Sequence, residues 1–512
     1  MDNQDFKLNE EQTQAVDKMY NFFKNNIKQL FQVDGPAGSG KSTITNIVVK
    51  KLLEEYDIKI VVCAPTNKAK KVLQKCFKKV GLLSRIQVLT IHQFMGSKID
   101  YDDNGKVNFV FSHKCKWKGE YVNSYSIPLV IVDEISMVNE EIYGQFMSYL
   151  RLNPKMKIIT FGDSLQLPPV DKTQKTKKSP FYNHPIDIRL YENMRNPNVK
   201  FNQCMAKLRK CIETEQEDPT LMDSIKKLEC IKIIKEPKYY KPKVLNISSY
   251  KYIYKSEFDK KNQSIQFLNF ISNKGNLNCV GNHNRAIREH LFNINPTDSS
   301  NIREGEQLEF KDTFLVFENS DIVRVIDASS SSVILDFTEF LRLNPMEHDI
   351  SSGQSISLER SIVDELLEKN FFCKVVEIKN HSKKIDVVLL EVLDGLEIIS
   401  VVSRDGNNLE LFDEYIDILK QLIISFLVGY KKHTFYTEIR RYLWFSYYAY
   451  VKSINAPVTE FYAATIHKSQ GSTYDVCILN YKSFDWIKDT VFRMKLLYVG
   501  LTRSKGITYL IL

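Results

Sequence analysis

Short runs of apolar, largely β-branched residues recur along the chain, and most of them end in a cluster of polar residues. Such runs are typical of buried strands in parallel sheets, whose carboxyl ends carry binding residues. The runs are LFQVDG (30–35), IVVCAPTNKAKK (60–71), VLTIHQF (88–94), PLVIVDE (128–134), KIITFGDSLQLPPV (157–170), FYAATIHKSQGST (461–473) and LLYVGLTRSK (496–505). They lie on both sides of a long middle region. The pattern therefore predicts an α/β protein with two parallel sheets that face each other.

A glycine-rich turn separates the first of these runs from a helical pattern, in which apolar residues of 44–52 share one face. The turn matches G-x-x-x-x-G-K-[ST], and its strand–turn–helix context is the one that the motif requires. Backbone N–H groups and the helix N-terminus can then hold phosphate oxygens. We expect Lys41 to reach the β- and γ-phosphates of ATP and Ser42 to ligate Mg²⁺. The residues expected to line the nucleotide are Gly35, Pro36, Ala37, Gly38, Ser39, Gly40, Lys41, Ser42 and Thr43.

The run at 128–134 ends in two adjacent carboxylates. We expect Asp133 to hold the Mg²⁺ through water, together with Ser42. Glu134 is expected to orient and deprotonate the attacking water. The sequence therefore predicts hydrolysis of a nucleoside triphosphate.

The composition is ordinary for a globular protein of 512 residues, with 43% hydrophobic residues. The net charge of +9 fits a polyanionic partner, although a solvated surface explains it nearly as well. Nine cysteines occur without a C-x-x-C pair, which suggests neither a zinc site nor a disulfide framework. The polar N-terminus is not a secretory signal, and no apolar stretch is long enough for a membrane span. We expect no membrane contact and a cytoplasmic or nucleoid-associated location, inside the host cell if the protein is viral.

The ordered motifs resemble those of superfamily 1 helicases, specifically the RecD-like and Dda-like branch, superfamily 1B. The resemblance covers residues 8–200 and 455–512 well and the middle weakly, and the form GDSLQLPPV favours this branch over the UvrD-like one. It implies two RecA-like P-loop NTPase cores that close on a nucleotide bound between them. In such a motor, binding closes the gap between the cores and hydrolysis opens it.

The resemblance also implies roles for single residues of the nucleotide site. Gln12 in LNEEQTQAV matches the glutamine that reads adenine. Gln166 matches the residue that senses the γ-phosphate and couples it to the nucleic-acid contacts. Arg195 in YENMRNP and Arg503 in VGLTRSK match two arginines that reach the γ-phosphate from the second core. Gln12 could instead be an ordinary polar residue of a helix, and either arginine could be a surface cation.

In the same family, polar residues at strand ends track the backbone of single-stranded nucleic acid. Hydroxyls, amides and backbone N–H groups can hold phosphates there without reading sequence. The matching residues are Pro65, Thr66, Asn67, Lys68, Thr90, His92, Asn284, Thr465, His467, Lys468, Ser469 and Gln470. Either histidine alone could equally be a hydrogen-bonded structural residue.

We predict four segments: a first core at 1–190, the first part of a second core at 191–314, a β-rich insertion with an aromatic helix at 315–454, and the C-terminal part of the second core at 455–512. The first core carries a hairpin insertion at about 97–124, signalled by Asn104–Gly105. In the family this hairpin is the pin that splits the duplex, although a plain surface ribbon is also open. The insertion corresponds to the family's SH3-like domain, and Asp394–Gly395 marks a tight hairpin in it.

The aromatic stretch 438–451 could be a platform for base stacking or, as we favour, a helix packed in the insertion. The predicted function is that of an ATP-dependent 5′-to-3′ DNA helicase, which acts as a monomer on single-stranded and fork DNA. The polarity comes from the resemblance alone. A single-strand-binding or replisome protein is an expected partner. Three rivals stay open: a viral RNA helicase, a translocase that displaces proteins without unwinding, and a non-catalytic protein on a helicase fold.

Overall fold

The computed structural model describes residues 8–25, 27–169, 178–194, 198–234, 250–260, 264–270, 279–295, 301–336, 371, 382–392, 397–485 and 487–512. The chain divides into two compact units. The first unit consists of Met1–Gly96, His113–Asn293 and Tyr462–Leu512. The second unit consists of Ser97–Ser112 and Ile294–Phe461.

One parallel sheet of six strands, in the order β10-β1-β9-β8-β2-β3, forms the centre of what we name the first core. Its strands are β1 (Leu30–Asp34), β2 (Ile60–Ala64), β3 (Gln87–Thr90), β8 (Leu129–Val132), β9 (Lys157–Gly162) and β10 (Ile188–Arg189). Its helices are α1 (Glu10–Lys24), α2 (Lys41–Glu55), α3 (Asn67–Lys79), α4 (Ile91–Phe94) and α5 (Glu140–Leu152). The central strands are buried along their whole length, as expected of a sheet covered on both faces.

A second parallel sheet, of five strands in the order β11-β21-β20-β12-β19, forms the centre of the second core. Its strands are β11 (Ile231–Ile234), β12 (Ile265–Asn269), β19 (Ala463–Thr465), β20 (Tyr474–Asn480) and β21 (Ser504–Ile511). Its helices are α6 (Val199–Thr214), α7 (Leu221–Lys226), α8 (Tyr250–Phe258), α9 (Val280–Leu291) and α12 (Thr490–Leu501). Both cores belong to the first unit. The expectation of an α/β protein with two parallel sheets is therefore confirmed.

The second unit is built from antiparallel strands and helices. Its strands are β4 (Ser97–Tyr101), β5 (Val107–Phe111), β13 (Gln307–Phe310), β14 (Ile322–Arg324), β15 (Asp327–Asp336), β16 (Ser382–Val392), β17 (Glu397–Val402) and β18 (Val458–Glu460). They form the hairpin β4-β5 and two sheets, β14-β13-β18 and β15-β16-β17. Two long helices, α10 (Asn408–Tyr430) and α11 (Tyr436–Ile454), complete the unit. Among the described residues, no helix is both long and apolar enough to cross a bilayer.

The region predicted as one hairpin at about 97–124 contains two. The first is β4-β5, which turns at Asn104–Gly105 as expected. The second is β6-β7 (Lys114–Trp117 and Glu120–Asn123), and it belongs to the first unit. The compact units thus separate the first hairpin from the first core, whereas our boundaries joined them. The turn predicted at Asp394–Gly395 lies outside the described residues, although the strands on either side of it do pair.

Candidate nucleotide and nucleic-acid site

The glycine-rich turn joins β1 to α2 at the carboxyl edge of the first sheet. Gly38 and Gly40 adopt φ values of 89° and 84°, which side chains disfavour. Gly40 is also the N-cap of α2, so the free N–H groups of that helix face the turn. The Lys41 ammonium donates to the carbonyls of Gly35 and Pro36, at 2.7 and 2.9 Å. The loop's own carbonyls therefore hold this lysine where phosphate oxygens would replace them.

Gln12 lies directly on this turn. Its amide oxygen accepts from the backbone N–H of Asn9, which completes the capping box of α1. Its amide nitrogen donates to the carbonyl of Ser39 at 3.1 Å. A Cβ added to Gly40 would lie 2.3 Å from that nitrogen. The predicted adenine-reading residue is thus 4% exposed and fixed against the turn.

Asp133 and Glu134 follow β8, as the sequence predicts. Asp133 donates its backbone N–H to Cys63 on the neighbouring strand, and its carboxylate accepts from the N–H of Glu134 at 2.9 Å. Glu134 adopts a left-handed conformation with φ of 53°, which is strained for a residue with a side chain. Burial and then the Glu134 carboxylate raise the pKa of Asp133, while Lys41 opposes them. These carboxyls therefore lie where a further positive charge would stabilise them.

Four buried polar atoms near the turn have no hydrogen-bond partner among the described residues. They are Oγ of Ser39, Oε2 of Glu134, Oε1 of Gln166 and the hydroxyl of Tyr182. Ser39 and Gln166 are only 2% and 3% exposed. Buried polar atoms are normally bonded, so these four are available to a ligand or to water.

Sequence reasoning missed Tyr182, which lies in the short 3-10 helix Pro180–Asn183 outside every motif. Its hydroxyl lies 2.3 Å from where a Cβ on Gly162 would be, at the carboxyl end of β9. Burial first, and then the carboxylates of Asp34, Asp163 and Glu134, raise its pKa. A lone tyrosine in a polar loop gives no sequence signal that could have identified it.

The two predicted arginines are placed differently. Arg503, 2% exposed, donates to the carbonyls of Val499 and Ser472 at 3.0 and 3.2 Å, and to the hydroxyl of Thr502 at 3.1 Å. All three partners belong to the second core. Arg195 lies outside the described residues. The residue before it, Met194, donates its N–H to the carbonyl of Gly38 at 2.8 Å, so this segment reaches the turn.

The predicted nucleic-acid residues of the first core lie at one edge of its sheet. They follow the adjacent parallel strands β2 and β3, which register Ala64 against Thr90. Thr66 and Thr90 cap α3 and α4 through their hydroxyls. Pro65, Asn67 and Lys68 are partly exposed between them, and His92 is exposed on α4. The structure therefore brings these predicted residues together.

In the second core, the predicted nucleic-acid residues are more buried than those of the first core. Thr465 and Lys468 are accessible, but Ser469 and Gln470 are buried, at 0% and 4% exposure. Burial lowers the pKa of His467 to about 4, so this ring is neutral at physiological pH. The Gln470 amide donates to the carbonyl of Leu167 in the first core at 3.4 Å.

Asn284 fastens one element of the second core to another. Its amide oxygen accepts from the backbone N–H groups of Tyr462 and Ala463, at 2.8 and 2.6 Å. Its amide nitrogen donates to the carbonyl of Ala463 at 3.3 Å. The side chain thus ties α9 to the start of β19, a structural task that we did not predict from the sequence.

Comparison with known proteins places these motifs in a family. A model described as an AAA domain matches residues 7–226, and a model of the UvrD-like helicase C-terminal domain matches residues 460–511. The ATP-dependent DNA helicase Dda of Enterobacteria phage T4 is 30% identical over 154 residues, which is 30% of this chain and 31% of Dda. In its motifs and in these matches, the chain is similar to helicases of superfamily 1B. It is an ATP-hydrolysing DNA helicase.

Two further proteins resemble the helicase over nearly its whole length. An uncharacterized protein of Acanthamoeba polyphaga mimivirus is 28% identical over 514 residues, 97% of this chain and 98% of that protein. A crystal structure of the Bacteroides Pif1 helicase, in complex with ADP-AlF3 and single-stranded DNA, has a TM-score of 0.46 at 16% identity. That similarity covers 99% of the helicase and 92% of the Pif1 chain.

Proposed function

We propose that the helicase hydrolyses ATP to move 5′-to-3′ along single-stranded DNA and to separate duplex DNA at forks. The four unbonded polar atoms around the glycine-rich turn carry this proposal. One belongs to Glu134, next to Asp133, and another to Ser39, two residues before Lys41; hydrolysis of a bound triphosphate needs Lys41, Asp133 and Glu134. We assign the two parallel sheets to two RecA-like cores that share this site.

The residues present fit Mg²⁺ and a triphosphate. The expected donors are the Ser42 hydroxyl and the Asp133 carboxylate, and oxygen donors of this kind suit a small divalent cation. Lys41 alone does not neutralise the adjacent carboxyls of Asp133 and Glu134, since the pKa of Asp133 is raised in spite of it. A bound cation would supply the missing positive charge. Ser42 and Asp133 would hold the ion, which supplies charge neutralisation on the phosphate oxygens.

The side chains of the first core then have distinct tasks. Lys41 exchanges the carbonyls of Gly35 and Pro36 for phosphate oxygens. Glu134, whose Oε2 has no partner among the described residues, takes a proton from the attacking water. Gln166 presents its unbonded Oε1 to the same region, where it senses whether the γ-phosphate is present.

Arg503 must change partners to reach the nucleotide. Its bonds to Val499, Ser472 and Thr502 keep it within the second core. Closure of the cores on ATP would exchange these bonds for phosphate oxygens, with Arg195 as the second arginine. A positioned arginine of this kind accelerates phosphoryl transfer by roughly 10³–10⁵-fold.

The strand ends of both cores hold the DNA backbone. The accessible group in the first core is Pro65–Lys68 with His92, and in the second core Thr465 and Lys468. Lys68 donates to the Tyr474 hydroxyl of the second core at 3.1 Å, so the first group contacts the second core. Their separation would change as the cores close, which moves the strand.

The hairpin β4-β5 acts as the pin that separates the strands. It is braced within the second unit, because Tyr101 stacks on Tyr448 with ring centroids 4.9 Å apart. Asp100 pairs with Arg440 and Arg441, each at 3.3 Å. A rigid brace suits a wedge, since a loose hairpin would yield to the duplex. The aromatic stretch 438–451 serves this packing as part of α11.

The tip of the hairpin is held as firmly as its strands. The Tyr448 hydroxyl donates to the carbonyl of Gly105 at 2.7 Å, and Tyr436 donates to Asp103 at 2.6 Å. A Cβ on Gly105 would lie 2.5 Å from the Trp444 ring. We assign the strands of residues 315–454 to the SH3-like insertion, whose helix α11 carries this brace. The protein acts as a monomer inside the cell, with a single-strand-binding or replisome protein as a partner.

The test is unwinding of matched partial duplexes with ATP and Mg²⁺, carrying a 5′ DNA tail, a 3′ DNA tail or a 5′ RNA tail. We expect unwinding of the 5′ DNA-tailed substrate alone. Preference for the 3′ tail would overturn the polarity, and preference for RNA would assign the enzyme to RNA remodelling.

A hairpin variant separates unwinding from translocation. The double change Asp100→Ala and Asp103→Ala removes the ion pairs that brace the hairpin. We expect unwinding to fall while DNA-stimulated ATP hydrolysis persists. The matched control is Asp312→Ala, which removes an acidic partner of Lys452 on the same helix but none of the ion pairs of Asp100 and Asp103. Equal unwinding by both variants would show that the braced hairpin is not the pin.

A further inference from the structure

A cluster of three residues, two buried and one partly buried, joins the two cores. Asp163, which is 0% exposed, accepts from Arg209 at 2.7 Å and from the Tyr498 hydroxyl at 2.7 Å. Arg209 also donates to that hydroxyl at 2.7 Å, so each member contacts the other two. We name Asp163, Arg209 and Tyr498 the intercore cluster.

The members of the intercore cluster come from both cores. Asp163 follows β9 of the first core, whereas Arg209 lies on α6 and Tyr498 on α12 of the second. The loop that carries Asp163 also inserts Leu165 and Leu167 into the apolar cluster of the second core. These leucines exclude water from one side of the ionic contact, which strengthens it.

The electrostatics indicate that the aspartate is ionised. Burial by itself would raise the pKa of Asp163, but Arg209, Lys41 and Tyr498 together hold that pKa below its ordinary value. Burial also opposes the charge of Arg209, yet Asp163 and Tyr498 raise the pKa of this arginine. A buried pair of this kind is costly to break, because one partner would stay charged and unpaired.

The cluster lies between two groups that act on the γ-phosphate. Gln166 follows Asp163 in the same loop, and its backbone N–H donates to the Asp163 carbonyl at 3.1 Å. Arg503 follows Tyr498 just beyond the end of α12 and donates to the carbonyl of Val499, the residue after Tyr498. The intercore cluster therefore fixes the loop of Gln166 relative to α12, the helix that leads to Arg503.

We propose that Arg209 and Tyr498 are positioning residues for ATP hydrolysis, which act through Asp163. They keep the Gln166 loop and the α12 terminus in one arrangement while the rest of the interface between the cores closes. The nucleotide state sensed by Gln166 thus reaches Arg503, and DNA-stimulated turnover depends on the cluster. The inference rests on the proposed function, since it assumes that both side chains act on ATP.

The first test is Tyr498→Phe, which removes one hydrogen bond and little volume. We expect the kcat of DNA-stimulated ATP hydrolysis to fall about tenfold, the scale of one lost bond to a charged group. The KM for ATP should stay within about twofold, because none of the three residues contacts the nucleotide. The control is Tyr509→Phe, which removes a 2.9 Å tyrosine–carboxylate bond to Glu257 in the same core. The proposal is overturned if the two variants have equal kcat.

A second variant covers the case in which the first fails to fold. Arg209→Lys keeps the positive charge beside Asp163 but has one donor group in place of the guanidinium fork. We expect an intermediate kcat, with fewer base pairs unwound per ATP than in the unchanged enzyme. The control Arg493→Lys alters a 2.7 Å pair with Glu217 within the second core, and should leave that ratio unchanged.

The outcomes separate this inference from the function on which it rests. If the unchanged enzyme shows no DNA-stimulated hydrolysis, the proposed function fails, and this inference fails with it. If the unchanged enzyme is stimulated and Arg209→Lys retains its full kcat and coupling ratio, only the positioning role is wrong. The proposal is supported if the cluster variants lose as much melting temperature as their controls but show a fall in kcat that the controls do not.

Discussion

The two halves of the nucleotide site differ in what their polar side chains contact. In the first core, Ser39, Glu134 and Gln166 each keep a buried atom without a partner among the described residues. In the second core, Arg503 bonds to Val499, Ser472 and Thr502 of its own fold. Under the proposed function, the second core must therefore exchange internal bonds for ligand bonds, and its contribution depends on movement.

Removing Arg503 is the strongest way to test this difference. We expect Arg503→Ala to lower kcat by roughly 10³-fold, because charge that develops on the phosphate would lose its neutralising partner. The dissociation constant of a fluorescent ATP analogue should change little if Arg503 acts only after closure. Lys505→Ala, an exposed cation two residues further on, is the control. A large loss of nucleotide affinity would show that Arg503 already contacts the nucleotide before closure.

Two glycine substitutions test how closely the first half is preformed. Gly40→Ala and Gly81→Ala both place a side chain at positive φ, which costs roughly 1–2 kcal/mol of folding stability. Only Gly40 has a neighbour in the way, since nothing lies within 4 Å of a Cβ on Gly81. We therefore expect both variants to lose free energy of unfolding in urea, and Gly40→Ala to lose at least as much as Gly81→Ala. Only Gly40→Ala should raise the KM for ATP, because it displaces Gln12. An unchanged KM would mean that Gln12 does not read the nucleotide.

A smaller effect concerns pH and His467 of the second core. Burial lowers the pKa of this histidine to about 4, so between that value and about 6.5 the unfolded chain binds a proton that the folded chain does not. Stability should therefore fall as pH drops from 6.5 towards 4. We expect His467→Gln to flatten this dependence in urea unfolding at pH 7.5 and 5.5. The variant His433→Gln, in the second unit, serves as the control, and equal slopes for all three proteins would contradict the burial of His467.

The sequence predicted those parts of the molecule that local pattern determines. Uninterrupted apolar runs and the polar residues after them located β1, β2, β8 and β9, because a strand buried on both faces must be apolar throughout. The turn at Asn104–Gly105 was predicted for a similar local reason. The P-loop and the carboxylates Asp133 and Glu134 followed from fixed spacing within single segments.

Features that depend on distant partners could not be predicted. The contact of Asp163 with Arg209 and Tyr498 joins segments far apart in sequence, and none of the three has a periodic signal. Asn284 lies in a segment that matches a motif, yet its amide oxygen accepts from backbone N–H groups at the start of β19, which is distant in sequence. Tyr182 was missed because only the short 3-10 helix Pro180–Asn183 brings its hydroxyl close to Gly162.

The order of strands in the second sheet has a consequence for how the protein is made. The first sheet is complete once β10 has been synthesised, so a nascent first core can fold early on the ribosome. In the second sheet, β20 and β21 separate β12 from β11, and both come from the last part of the chain. Until that part emerges, the edges of β11 and β12 have no neighbours from this sheet. Such edges are sites of wrong pairing, so a truncation that removes Ser504–Ile511 should yield aggregates.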